Sequence, residues 1–314
     1  MKLTVLDGHA LNPGDLSWDR FNTFASVTVY ERTPPELVLD RIADSDAVLL
    51  NKISVTRDIL KKCPSLKYIG VLATGYNVVD VKAAKELGVT VTNVPSYSTM
   101  SVAQHVFSFI TAFTNHVQMH SDSVMKGKWV HSPDFCYWDA PLTELSGKML
   151  GIFGYGHIGE RVALIAQAFG MDVICCPHHV KDGMPHPVSQ DELFAQSDIL
   201  TLHAPLTAET AEVVNARSLS SMKRSAYVIN TARGGLVNER DVRNALDNGT
   251  ISGYACDVLS DEPMKADCPL LGAPNCLITP HIAWAPKETR IRLMDIALKN
   301  LECYLAGTPQ NVVS

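Results

Sequence analysis

No apolar run in the 314-residue chain reaches the length that crosses a bilayer, so a membrane-spanning helix is not its organising feature. Nor is a secretory leader expected. Met1-Lys2-Leu3-Thr4-Val5-Leu6-Asp7 is a short strand-like run with no long apolar region and no small-residue cleavage site, so a cytoplasmic location is expected. Excess positive charge is absent too, with 27 Lys and Arg against 33 Asp and Glu and a net charge of -6. That balance disfavours nucleic acid or an anionic membrane as a partner and leaves a small molecule. Among eight cysteines no CxxC pair occurs, and Cys175, Cys176 and Cys256 lie inside apolar strand-like runs, where thiols behave as small hydrophobes. Neither a disulfide framework nor a metal site is expected. Short repeats and low-complexity tracts are lacking as well.

What the chain does contain is an ordinary globular composition, 46% apolar and 19% charged, at a length that suggests two domains. Short β-rich runs alternate with helix-like segments throughout. The first series has strands at Leu3–Leu6, Val27–Tyr30, Ala47–Leu50, Tyr68–Leu72 and Thr90–Asn93, with helices such as Glu36–Ala43 and Val79–Leu87, the latter stopped by Gly88. A second series begins near residue 148, with strands at Met149–Phe153, Asp172–Cys176, Ile199–His203, Ala226–Asn230, Gly253–Cys256 and Cys276–Thr279. Helices fit between them at Glu160–Phe169 and Glu239–Asp247. The alternation predicts α/β architecture, two lobes with parallel sheets and helices on both faces. Two longer helices are expected, Ser101–Met125 and Lys287–Leu305, the second placed to return to the first lobe.

Gly154-Tyr155-Gly156-His157-Ile158-Gly159 is a GxGxxG between a strand and a helix, the context in which the pattern marks a dinucleotide site. Gly154 permits the tight turn, Gly156 lets backbone approach a pyrophosphate, and Gly159 permits close helix–strand packing. The helix N-terminus offers N–H groups and partial positive charge to phosphates. An acid that grips the ribose hydroxyls is expected after the next strand. Pro177 stands there, followed by His178, His179 and Lys181. Loss of the acid removes repulsion against a 2′-phosphate and the cations attract one, so NADP is expected as a cofactor alongside NAD. The alternative is a solvated loop, with NAD held by other contacts.

Polar residues follow three later strands: Arg233 in Asn230–Gly235, Glu262 in Asp257–Pro263, and His281 in Thr279–Trp284. Strand carboxyl ends are where open α/β sheets bind ligands. With a hydride supplied by the cofactor, the protein must hold a carboxylate, polarise a carbonyl and move a proton. An arginine fork suits the first two tasks. A histidine suits the third, and a carboxylate beside it favours its charged form. Singly each residue reads as an ordinary loop side chain; their joint placement behind a glycine loop makes them the catalytic candidates.

Across nearly the whole chain the sequence resembles the D-isomer-specific 2-hydroxyacid dehydrogenase family. The resemblance rests on Ala73-Thr74-Gly75-Tyr76-Asn77-Val78-Val79-Asp80, Ser101-Val102-Ala103-Gln104-His105, the GxGxxG, His203-Ala204-Pro205-Leu206-Thr207, Thr231-Ala232-Arg233-Gly234, Asp257 with Glu262-Pro263, and Thr279-Pro280-His281. It implies a doubly wound dinucleotide domain, residues 99–284, inserted into a flavodoxin-like substrate domain made of 1–98 and 285–314. It implies a homodimer joined through the dinucleotide domains. It gives Arg233 to the substrate carboxylate, Glu262 to the histidine, His281 to acid/base work and Asp257 to the nicotinamide amide. Further cofactor contacts are implied at Gly154, Gly156, His157, Ile158, Gly159, Pro177, His178, His203, Ala204, Pro205, Thr210, Thr231 and Ala232. Substrate contacts are implied at Asn51, Lys52, Thr74, Gly75 and Tyr76, and Tyr76 and Trp284 are expected to bound the pocket. Within the family, Val5-Leu6-Asp7-Gly8, Leu11-Asn12-Pro13-Gly14-Asp15, Asn51-Lys52, Ser132-Pro133-Asp134-Phe135-Cys136 and Ile282-Ala283-Trp284-Ala285-Pro286 resemble the glycerate dehydrogenase (hydroxypyruvate reductase) branch. A broader reductase of glyoxylate or pyruvate, and a cofactor-sensing corepressor-like module, are the competing readings.

Overall fold

The β-branched and apolar runs of the first ninety residues become five strands in the computed structural model, which describes Met1–Ser314. They are β1 (Lys2–Val5), β2 (Ser26–Val29), β3 (Ala47–Leu50), β4 (Tyr68–Val71) and β5 (Thr90–Thr92). All pair in parallel, in the order β2-β1-β3-β4-β5. Every residue of β3 and β4 is buried, as continuous apolar strands covered on both faces should be. One face carries Val38, Ile42, Leu60, Ala83 and Ala84 from the short helices. The other carries the Lys287–Leu305 helix, whose Leu293, Ala297 and Leu301 recur at four-residue spacing and pack with Leu3, Val5 and Tyr68. Burying one such leucine contributes about 1.5–3 kcal/mol. The tail then pairs with β5: Thr92 bridges Val312, and Val313 donates its N–H to the Val91 carbonyl at 2.8 Å. One compact unit thus consists of Met1–Ser98 and Trp284–Ser314.

Arg290 anchors the C-terminal helix to this unit. Its guanidinium forks onto both oxygens of Asp15 at 2.7 Å and also donates to the carbonyls of Leu11 and Ala285. Hydrogen bonds from Arg290 hold the Asp15 carboxyl below its usual range, partly offset by desolvation. A depressed carboxyl stabilises above its unfolded pKa and loses that contribution as pH falls through the folded one. Asp15→Asn should therefore melt below the parent at pH 7, and the gap should close as pH drops below about 4. A gap independent of pH in paired thermal melts would contradict this.

The second unit, Thr99–Ala283, holds seven strands: β6 (Met149–Phe153), β7 (Asp172–Cys176), β8 (His186–Pro187), β9 (Ile199–Leu202), β10 (Tyr227–Asn230), β11 (Gly253–Cys256) and β12 (Cys276–Ile278). All are parallel, in the order β12-β11-β10-β9-β6-β7-β8. The order reverses between β6 and β9, the place where doubly wound sheets bind dinucleotides. Val106, Phe109 and Ile110 of the Thr99–Asn115 helix pack with Val162 and Ala166 of the His157–Ala168 helix on one face. Phe194, Leu219 and Val242 cover the other.

Two sequence expectations need correction, and one element has no counterpart among them. The Ser101–Met125 helix is two helices, Thr99–Asn115 and Val117–Met125, separated by His116 at φ 47°. The first buries a stripe of its side chains and the second buries none, so the two follow different surfaces. The helix expected from Glu160 starts at His157, inside the glycine motif, with Gly156 as its cap. The strand at His186–Pro187 was not anticipated, since two residues ending in proline carry no strand pattern. No helix is long and apolar enough to cross a membrane.

Candidate active site

The glycine loop is built by contacts that exclude side chains. Gly154 has φ 90°, and a Cβ there would lie 2.5 Å from the Ala204 backbone nitrogen. A Cβ on Gly159 would lie 2.7 Å from the Gly154 carbonyl oxygen. The loop is thereby pressed against the end of β9 and the helix against the end of β6. Gly156 contrasts with both, since a Cβ there would meet no atom within 4 Å. That leaves space for a phosphate beside the first helical N–H groups, those of His157, Ile158 and Gly159.

Two buried polar atoms on this edge have no partner within the protein, His203 Nδ1 and Thr231 Oγ1. Such atoms are rarely left unpaired. His203 donates or accepts at Nε2 with Thr201 Oγ1, 3.0 Å away, and burial holds its imidazole down to about 3, so it is neutral at physiological pH. Ala204 is buried and Pro205 exposed; Thr210 turns onto its own loop, donating to the Pro205 carbonyl at 2.7 Å. Pro177 follows β7 directly. His178 and His179 beyond it are exposed and share a 2.8 Å hydrogen bond, Nδ1 to Nε2. An open glycine cradle with two orphaned polar atoms nearby fits a dinucleotide.

The catalytic candidates leave three consecutive strands, β10, β11 and β12, at their carboxyl ends. After β10, buried Asn230 accepts from Ala232 N–H through Oδ1 and donates through Nδ2 to the Arg233 carbonyl, 3.0 and 2.9 Å away. This fixes the turn and leaves the Arg233 side chain exposed. Gly234 then meets the next loop: a Cβ there would sit 1.9 Å from the Leu259 carbonyl carbon. The β10 and β11 loops therefore touch backbone to backbone.

After β11 comes Asp257, 1% exposed. Its Oδ1 accepts from Thr279 Oγ1 at 2.6 Å and from the Ile282 N–H at 2.8 Å, and its Oδ2 accepts from the Ala283 N–H at 2.8 Å. Five residues on, Glu262 accepts from the Leu259 N–H at 3.1 Å and, through Oε2, from His281 Nδ1 at 2.7 Å. The imidazole and carboxylate keep 29% and 35% exposure, so the pair is within reach of a ligand. His281 itself has φ 55°. Arg233, Glu262 and His281 all belong to the second unit, and the His281–Glu262 contact is direct.

The substrate candidates lie on the first unit, after β3 and β4. Asp7 receives the Asn51 and Lys52 N–H groups on separate oxygens at 2.8 and 2.7 Å. Desolvation raises the Asp7 carboxyl pKa, against those hydrogen bonds. Thr74 donates its hydroxyl to the Val94 carbonyl and receives Asn93 Nδ2 on its own carbonyl, which leaves Gly75 and the exposed Tyr76 at the tip of the loop. Trp284 packs against the cluster of Leu3, Leu293 and Tyr97, so part of its ring serves the core.

Sequence reasoning missed Asp7 and Asn230. Each is a buried polar residue at a strand end, and that position is the signal that could have found them.

The pattern of the family described as D-isomer specific 2-hydroxyacid dehydrogenase, NAD binding domain, matches residues 107–283. A hydroxypyruvate reductase of Blautia hydrogenotrophica is 47% identical over 321 residues, covering 100% of both chains. A glycerate dehydrogenase of Methylorubrum extorquens is 41% identical and covers 99% of this chain and 98% of its own. The solved structure of an acyclic imino acid reductase in complex with NADPH and D-Arg superposes with a TM-score of 0.87 at 32% identity, over 100% of both chains. With a nicotinamide dinucleotide as its cofactor, this chain belongs to the D-isomer-specific 2-hydroxyacid dehydrogenase family of oxidoreductases.

Proposed function

We propose that the protein reduces hydroxypyruvate to D-glycerate, and reverses that reaction, with His281 as the acid/base. The observation that carries the proposal is the 2.7 Å contact of His281 Nδ1 with Glu262, on a strand-end loop beside that of Arg233. The identities to a hydroxypyruvate reductase and a glycerate dehydrogenase support this substrate pair.

When bound, the dihydronicotinamide supplies a hydride to the carbonyl carbon. Gly154, Gly156, His157, Ile158 and Gly159 hold its pyrophosphate through backbone. His203, Ala204, Pro205, Thr210, Thr231, Ala232 and Asp257 line the rest of the cofactor's path. Arg233 grips the substrate carboxylate and polarises the neighbouring carbonyl with one fork. Asn51, Lys52 and the Thr74–Tyr76 loop are assigned to the substrate, with Tyr76 and Trp284 limiting its size. Because Nδ1 donates its hydrogen bond to Glu262, Nε2 of His281 is the nitrogen that gives a proton to the carbonyl oxygen on reduction and takes it back on oxidation.

Both NADH and NADPH are proposed to serve. Pro177 carries no charge to repel a 2′-phosphate, and the exposed His178–His179 pair with Lys181 attracts one. The quaternary state is proposed to be a homodimer through the second unit. There Met125, Val130, Phe135 and Trp138 are 83%, 80%, 89% and 66% exposed, an apolar concentration that soluble surfaces seldom leave open. All eight cysteines are free, which suits a reducing cytoplasm.

Hydroxypyruvate, glyoxylate and pyruvate, each with NADH and NADPH, test these statements in one coupled assay. Hydroxypyruvate should lead in kcat/KM by about 10–200-fold, the range that a small difference in substrate size supports. Equal or greater efficiency with glyoxylate would favour a broader keto-acid reductase, to which the 34% identical glyoxylate reductase of Aeropyrum pernix gives some support. A hundredfold preference for NADH would overturn the reading of His178 and His179.

A further inference from the structure

Ser101-Val102-Ala103-Gln104-His105 marks the family resemblance, yet none of its residues has a role in the chemistry above. His105 lies on the buried side of the Thr99–Asn115 helix, its side chain 18% exposed. Its Nε2 is 2.9 Å from Thr279 Oγ1 and 3.6 Å from Asp257 Oδ1.

The proton order in this chain can be deduced. A threonine hydroxyl has one proton. Thr279 gives it to Asp257 Oδ1, 2.6 Å away. Toward His105 the hydroxyl therefore presents a lone pair, and Nε2 must carry the hydrogen. Burial lowers the pKa of His105, against the pull of Asp257, which favours the neutral ring with its one hydrogen on Nε2. The chain runs from His105 Nε2–H through Thr279 Oγ1–H to Asp257.

Asp257 passes the constraint on. It receives the N–H groups of Ile282 and Ala283, both at 2.8 Å, and these are the two residues after His281. His281 has φ 55°, a left-handed backbone that is strained for a residue with a Cβ. Such a conformation persists only where its surroundings over-determine it.

We propose that His105 is a positioning residue for His281. Its Nε2–H fixes the Thr279 hydroxyl, which fixes the Asp257 carboxylate, which clamps the turn that presents the His281 imidazole to Glu262. His105 touches neither substrate nor cofactor in this scheme. The proposal rests on assigning proton transfer to His281.

The test compares His105→Ala with His105→Gln, whose side-chain amide places an N–H where Nε2–H stood. His105→Ala should lower kcat about 10-fold or more while the substrate KM stays within about twofold, since a small misplacement of the proton donor affects the chemical step. His105→Gln should recover kcat to within about threefold of the parent. Thr279→Val breaks the same chain without touching the Thr99–Asn115 helix, and should match His105→Ala. The double variant should be no worse than either single one, because both remove one linkage. A kcat for His105→Ala within twofold of the parent would overturn the proposal. So would a glutamine variant no better than the alanine one at equal Tm, or additive losses in the double variant. If His105→Ala does not fold, Thr279→Val decides alone by the same criteria. His281→Asn, assayed alongside, separates this proposal from the assignment beneath it: full turnover in that variant refutes the role of His281 itself.

Discussion

Replacing His281 with asparagine should lower kcat for hydroxypyruvate reduction by about 10²–10⁴, the range a positioned general acid contributes. Cofactor affinity should be unchanged. The glycine cradle and the orphaned His203 Nδ1 and Thr231 Oγ1 lie on loops that do not include His281. Asparagine keeps a polar group near Nδ1 and can still meet Glu262, and it tolerates the left-handed φ of 55° better than most residues. The fold and the turn should therefore survive, and what is lost is the proton at Nε2. Fluorescence titration with NADH together with stopped-flow reduction measures both properties. Retained turnover would remove His281 from the mechanism. Joint loss of cofactor binding and turnover would mean that the turn, not the proton, had been damaged.

The second large effect is expected at Gly234. A Cβ there would stand 1.9 Å from the Leu259 carbonyl carbon, 2.1 Å from its oxygen and 2.2 Å from the Ser260 nitrogen. These are backbone atoms with no rotamer to give way. Gly234→Ala must separate the β10 and β11 loops, and with them Arg233 from Glu262. The cost should exceed the about 1–3 kcal/mol of ordinary over-packing, and activity should fall with stability. Gly156→Ala is the contrast, because its Cβ meets nothing within 4 Å. That variant should unfold at the parent's denaturant midpoint while binding the dinucleotide more weakly. If Gly234→Ala and Gly156→Ala behave alike, the close approach of the two loops is not as described.

Sequence made the central strands and the glycine loop legible because each is dictated locally. A run such as Ala47–Leu50, too short for a helix and flanked by Asp46 and Asn51, reads as a strand buried on both faces, and a GxGxxG between a strand and a helix has few other uses. Arg233, Glu262 and His281 were legible by position: each follows a strand end, and parallel topology puts such ends on one edge. The break at His116 was not legible. No glycine or proline marks it, and the polarity of Val117–Met125 is compatible with a continued amphipathic helix; only packing distinguishes the two. The start of the helix at His157 was hidden because its first residues also form the phosphate turn. Asp257 shows a different limit. The family resemblance implied a cofactor contact for it, but its burial and its bonds to Thr279, Ile282 and Ala283 depend on three segments meeting, which no local pattern encodes. Asp7 likewise reads as a turn residue until the Asn51 and Lys52 amides are seen on its two oxygens.

The most direct measurement of the central claim is the identity and configuration of the product. The purified protein is incubated with hydroxypyruvate and NADH, and the glycerate formed is resolved on a chiral column against both enantiomers. Hydride delivery at a site of this family, with His281 protonating the carbonyl oxygen, predicts D-glycerate in an amount equal to the NADH consumed. L-glycerate, a racemic mixture, or no glycerate from an enzyme that binds NADH would contradict it.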